Sequence, residues 1–201
     1  MSTTAAPYGF KPVNLVGGQP YAGGTRTFLI DPAGTGASIY NGSLVYVTAD
    51  GYLAPVSATG ADGTTNAFPA GTTLTGAVGV FTGCSYVNAQ GQQIWSQYYP
   101  RGTTGVITAQ VVDDPDVVFQ VQANSAVTQA ELGSNVHMTS GAILTGSTVT
   151  GNSTASVNGT SLTTTAPFRV VGFVSTPGDT YTDILVKFNT GWHSYTNAVG
   201  L

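Results

Sequence analysis

An all-β fold is predicted by three features of this chain. Charged residues make up only 7% of it, against about 25% in ordinary globular proteins. Glu occurs once, at Glu131, and Lys only at Lys11 and Lys187, so the residues that build long helices are largely missing. Thr, Val, Tyr and 27 glycines stand in their place, a composition suited to strands and tight turns. Short β-branched and aromatic runs also recur between turn-forming Gly, Pro, Asn and Asp. The expectation is a single antiparallel β-sandwich or barrel-like domain with an extended N-terminal arm and at most one short helix. Residues 1–24 form the arm, 25–190 the β domain and 191–201 a C-terminal tail.

In the arm, Pro7, Pro12 and Pro20 remove backbone donors and favour extended conformations before them. Tyr8, Phe10, Val13, Leu15 and Tyr21 give the segment apolar anchors, so it is expected to dock in a groove of its own domain or of a neighbour rather than fray. Residues 25–30 read as the first strand. Asp50-Gly51 joins residues 43–48 to 52–56, and this pair suits the mirror-image hairpin turn that matches strand twist. Residues 57–71 read as a polar surface loop.

Residues 74–112 organise the chain as a meander of three or four strands. Residues 74–81 and 85–87 are β-rich, Asn88 to Gly91 supplies a turn, and residues 93–99 partly alternate in polarity. Pro100-Arg101-Gly102 turns the chain again before residues 106–112 run back. Residues 117–123 resume the strand pattern. Thr128, with Glu131 three residues on and Gly133 after it, reads as a capping box on one or two helical turns. Residues 140–165 are Thr-, Ser-, Gly- and Asn-rich, and suit a flexible loop or short, poorly buried strands. Residues 168–174 and 183–188, joined through Pro177-Gly178-Asp179, form a last hairpin.

The totals exclude several functions. A net charge of −4 with five basic residues provides no basic stripe for nucleic acid. No run of 18 apolar residues spans a membrane, and residues 1–13 lack the basic-then-apolar pattern of a secretory signal. One cysteine, Cys84, cannot form an internal disulfide and reads as a buried apolar residue. His137 and His193 are the two histidines, too few nitrogen ligands for a zinc site; His137 reads as half-exposed on a strand and His193 as packed or interfacial. Asp113, Asp114 and Asp116 surround Pro115 and match no EF-hand spacing, so a solvated turn is expected. Phosphate-binding, dinucleotide and nucleophile-elbow motifs are all missing. Neither a catalytic residue, a cofactor nor a metal is expected, and the chain does not read as an enzyme.

The run Ala6-Pro7-Tyr8-Gly9-Phe10-Lys11-Pro12-Val13 resembles the opening of a family of phage virion proteins. The stretches 79–86 and 98–103 and the ending 181–188 are similar to the same family, the cement or decoration proteins of tailed phages, including cyanophages. The resemblance implies a structural virion protein, made in the bacterial host cytoplasm, that binds the outer capsid surface and holds neighbouring capsomers together. It implies the major capsid protein and copies of itself as partners, a homotrimer being favoured over a dimer by analogy with three-fold capsid positions. Tyr8, Phe10, Lys11 and Val13 are then expected as arm contacts, with Trp192, His193 and Tyr195 at the other end. A tail or fibre component that binds the host surface is the alternative, although fibres usually show repeats or heptads and this chain shows neither.

Overall fold

The computed structural model describes residues 3–56, 76–139, 144–163 and 166–198. The expected loop at 57–71 and the start of the meander at Leu74 lie outside these residues. In chain order the strands are β1 (Lys11–Leu15), β2 (Arg26–Ile30), β3 (Ile39–Tyr40), β4 (Leu44–Val47), β5 (Leu53–Pro55), β6 (Gly79–Val87) and β7 (Gln93–Ser96). They continue with β8 (Tyr98–Tyr99), β9 (Ile107–Val112), β10 (Val117–Gln122), β11 (Asn135–Met138), β12 (Val157–Thr163), β13 (Phe168–Phe173) and β14 (Asp183–Phe188). The fold is all-β. The capping-box segment makes a single 3-10 turn, Gln129–Glu131, in which the Glu131 carboxylate accepts the Thr128 N–H.

One six-stranded sheet has the order β1-β10-β14-β13-β11-β12, and a second β4-β5-β2-β9-β6-β7. In the second sheet β4 also pairs with β6, so β4, β5, β2, β9 and β6 curl into a small barrel with β7 alongside. Its pairings are antiparallel except for the single parallel bridge Ile30–Leu53 between β2 and β5. That bridge departs from the expected all-antiparallel arrangement, because β2 and β5 are joined through β4 and meet side by side as the sheet closes. The central segment is likewise not a simple meander. β6 is one continuous strand flanked by both β7 and β9, with a register shift between Phe81 and Gly83.

Alternating side chains produce two cores. Ile30, Val45, Leu53, Phe81, Cys84, Ile107, Ala109 and Val111 fill the barrel. Ile39 and Tyr99, from the β3–β8 ribbon, join them. Leu44, Val80 and Val112 point the other way and meet Phe119, Val136, Phe168, Val170, Ile184, Val186 and Phe188 of the first sheet. The molecule is thus a six-stranded sheet packed on one wall of a barrel.

Two turns clarify local chemistry. Around Asp50-Gly51 only Gly51 has positive φ, at 81°. Gly51 N–H donates to the Thr48 carbonyl and Thr48 N–H to the Tyr52 carbonyl. The hairpin is therefore closed by a turn ending in a left-handed glycine, not by the mirror-image turn, which needs positive φ at both central residues. In the Asn88–Gly91 turn, Asn88 Oδ1 accepts the N–H groups of Gln90 and Gln92, as the sequence suggests. The Ser/Thr-rich segment corrects an expectation: Ser153, Ala155, Ser156 and Val157 are buried. They are buried because the chain before β12 is tied down, Ser153 N–H donating to the Asn41 carbonyl and Gly9 N–H to the Ala155 carbonyl, and β12 then pairs with β11 to complete the first sheet.

Candidate docking surface

The N-terminal arm belongs to the fold. β1 is an edge strand on β10, with Lys11 opposite Gln120 and Leu15 opposite Val117. Phe10 is fully buried, stacked on Phe168 at 4.8 Å and edge-on to Phe119 at 6.4 Å. Its entry depends on two glycines. Gly9 (φ 78°) and Gly42 (φ 89°) approach so closely that a Cβ on Gly9 would lie 2.9 Å from the Gly42 carbonyl oxygen. Phe10 N–H donates to that carbonyl and Gly9 N–H to Ala155. Phe10 is therefore a core residue in this structure and not an external contact, because its ring is enclosed by its own chain.

Tyr8 lies half-buried, donating its hydroxyl to Asp183 at 2.8 Å and accepting from Gln120 Nε2 at 2.8 Å. Burial, and then the Asp183 carboxylate, raise its pKa well above the usual tyrosine value. The Lys11 ammonium sits 4.3 Å over the Tyr8 ring, a cation–π contact. Lys11 and Val13 are exposed.

The C-terminal tail is likewise stitched in. Ala77 N–H donates to the Trp192 carbonyl, Ser194 N–H donates to Ala77, and the Ser194 hydroxyl donates to Gly76. Trp192 packs half-buried on the core. His193 is buried between the rings of Phe188 at 5.1 Å and Tyr195 at 5.2 Å, so it too is removed from the set of external contacts. Burial pushes its pKa down. Tyr195 remains exposed and donates its hydroxyl to Asp113 at 2.7 Å, while Arg26 pairs with the same carboxylate at 3.0 Å. Asp113 is thus a tether for the tail and not simply a solvated turn residue. Burial, then Asp113, pushes the Tyr195 pKa up to about 12.

His137 is buried on β11 rather than half-exposed, because β12 and β13 flank it. Cys84 is buried inside the barrel as expected, and burial pushes its thiol up to about 12. Among the described residues no three His, Cys, Asp or Glu side chains converge as a metal site. No described helix is long and apolar enough to cross a membrane.

The surface best suited to docking was not singled out in the sequence. On the barrel's outer side the register aligns Leu29, Thr108, Ser85 and Trp95 across β2, β9, β6 and β7. Neighbouring rows bring Thr27, Gln110 and Gly83, then Val87 and Gln93, onto that side, and alternation adds Val106. None of these residues is charged. Trp95 is 74% exposed, Val106 75%, Val87 53% and Leu29 49%. In an ordinary half-buried strand a tryptophan falls on the inner side; here Trp95 shares its side with Gln93. That mismatch in residues 93–96 was the available signal.

No protein-family model, curated protein or solved structure matches this chain. The likeness to virion proteins therefore rests on the short motifs in the sequence. The structure gives one of them a physical meaning. Within Tyr8-Gly9-Phe10, the glycine permits the close approach to Gly42, the phenylalanine enters the core and the tyrosine joins Asp183.

Proposed function

We propose that this protein is a non-enzymatic structural component of a phage particle, a cement or decoration protein that lies on the capsid exterior and stabilises contacts between capsomers. The observation that carries this reading is the uncharged outer side of the barrel, where Leu29, Val87, Trp95 and Val106 are exposed together. Exposed apolar side chains concentrated in one region mark interaction sites, and Trp is the residue most enriched among interface anchors. The occupant is a complementary apolar patch of the major capsid protein, the partner implied by the sequence resemblance. Contacts made only in the assembled shell raise its stability by mass action, and many copies on one particle multiply a modest affinity. Self-association as a trimer belongs to the same proposal. Lys11, Val13 and Tyr195 remain available as secondary contacts at the two ends of the chain.

Quantitative mass spectrometry of purified virions tests this directly. The expected result is hundreds of copies, near one per major capsid subunit. Six or twelve copies would assign the protein to the tail or connector, and absence from the particle would overturn any virion role.

A further inference from the structure

Away from the barrel's exposed side, the outer side of the first sheet carries a second surface feature. Arg169 of β13 and Lys187 of β14 are directly opposite partners. Side chains so placed have Cβ atoms roughly 4.5–5.5 Å apart, and like charges there repel. Among the described residues neither has a carboxylate within ion-pairing distance, whereas Arg26 has Asp113 at 3.0 Å. Two of the chain's five basic residues therefore meet uncompensated, in a protein with nine acidic residues.

They line a cleft of about 340 Å³ together with Asn135, Asn189, Phe188 and Trp192. Arg169 Nε donates to Asn135 Oδ1 at 3.2 Å, which fixes the guanidinium plane and leaves both Nη groups without a protein partner among the described residues. Asn189 Nδ2 donates to the Ala166 carbonyl at 2.7 Å, which leaves its Oδ1 as an acceptor. Among the described residues, no acidic side chain lines the cleft.

We propose that this cleft is a carboxylate-binding site for an acidic side chain of a protein partner. A guanidinium of fixed orientation beside an ammonium matches a carboxylate through charge-assisted hydrogen bonds. The half-buried Trp192 provides an apolar wall for the aliphatic stem, which a bare inorganic oxyanion would not use. Asn189 Oδ1 suits the N–H of a peptide backbone. The ligand also resolves the repulsion built into the strand pair. The assignment stands independently of any role on a capsid.

The test is an NMR titration of the full-length, 15N-labelled protein at low salt. The probes are a blocked Ala-Glu-Ala peptide, its Ala-Gln-Ala counterpart, inorganic phosphate and glucuronate. The Glu peptide is expected to give saturable shifts centred on Asn135, Arg169, Lys187 and the Trp192 indole. The Gln peptide should bind about tenfold more weakly or not at all. The R169Q/K187Q variant should lose the Glu-peptide shifts while keeping the rest of its spectrum; if it does not fold, K187Q alone should weaken binding several-fold. Equal binding of the Gln peptide, shifts that survive substitution, or no saturable shifts at all would overturn the proposal. Phosphate or glucuronate binding without the Glu peptide would overturn it too, by assigning the cleft to free oxyanions or to acidic sugars.

Discussion

At the scale of single residues, Phe10 and His193 near the chain's two ends are core side chains, and the one thiol is buried as its sequence suggests. Phe10 follows a proline-rich terminus, yet lies in the centre of an aromatic cluster with Phe119 and Phe168. Phe10→Ala should cost about 3–5 kcal/mol, the usual range for a buried aromatic truncation, measured by denaturant unfolding. Gly9→Ala should destabilise by at least ~1–2 kcal/mol from backbone conformation alone, and by more because its Cβ would meet Gly42 and Ser153 at 2.9 Å. A thermal midpoint unchanged by Gly9→Ala would show that the arm docks without the close approach described. Cys84 should resist alkylation at neutral pH until the protein unfolds, since burial both shields it and keeps it a thiol. Labelling in native buffer, followed by intact-mass measurement, checks this.

At the scale of elements, the sequence was most legible where local chemistry decides the structure. The Asn88 turn, the β13–β14 hairpin and the capping box at Glu131 all depend on side chains close in sequence. It was least legible where distant segments decide. Nothing near Ser153, Ala155, Ser156 and Val157 announces their burial, which comes from backbone hydrogen bonds to Asn41 and Gly9 far away in sequence and from the β11–β12 pairing. The aromatic spacing pointed to docking of the arm but not to a strand on β10, and the tail's attachment to Ala77 depends on a partner more than a hundred residues away. The candidate surface was harder still, since Leu29, Val87, Trp95 and Val106 come together only through register across β2, β9, β6 and β7. The tail also predicts a pH response. His193 and His137 both titrate below 6.5 in the fold because burial disfavours their charged forms. The unfolded chain then binds protons first as pH falls, so stability is full above about 6.5 and declines below it. Denaturant midpoints measured from about pH 7.5 to 5 should fall, before most carboxylates titrate near pH 4. H193Q should flatten that slope; an unchanged slope would remove His193 as its source.

At the scale of the whole molecule, the division of labour between sheet and barrel sets the expected consequences of surface substitution. The first sheet and the facing barrel wall hold the shared core, while Trp95 and its neighbours face outward. Trp95→Ser should therefore change unfolding free energy by no more than about 0.5 kcal/mol, as surface substitutions generally do. On the proposed reading it should also lower occupancy on capsids several-fold in a reconstitution assay. Full occupancy with a folded Trp95→Ser variant would exclude the barrel's outer side as the docking surface. The barrel itself is closed between β2 and β5 by the one Ile30–Leu53 bridge, whereas β2 and β9 are matched over five residue pairs. Such a joint concentrates bending at one line and leaves the other ladders intact. On the proposed reading, an icosahedral lattice presents chemically identical sites at unequal local curvature, and a barrel joined so thinly along one line would bend there to fit several of them without changing the residues it offers.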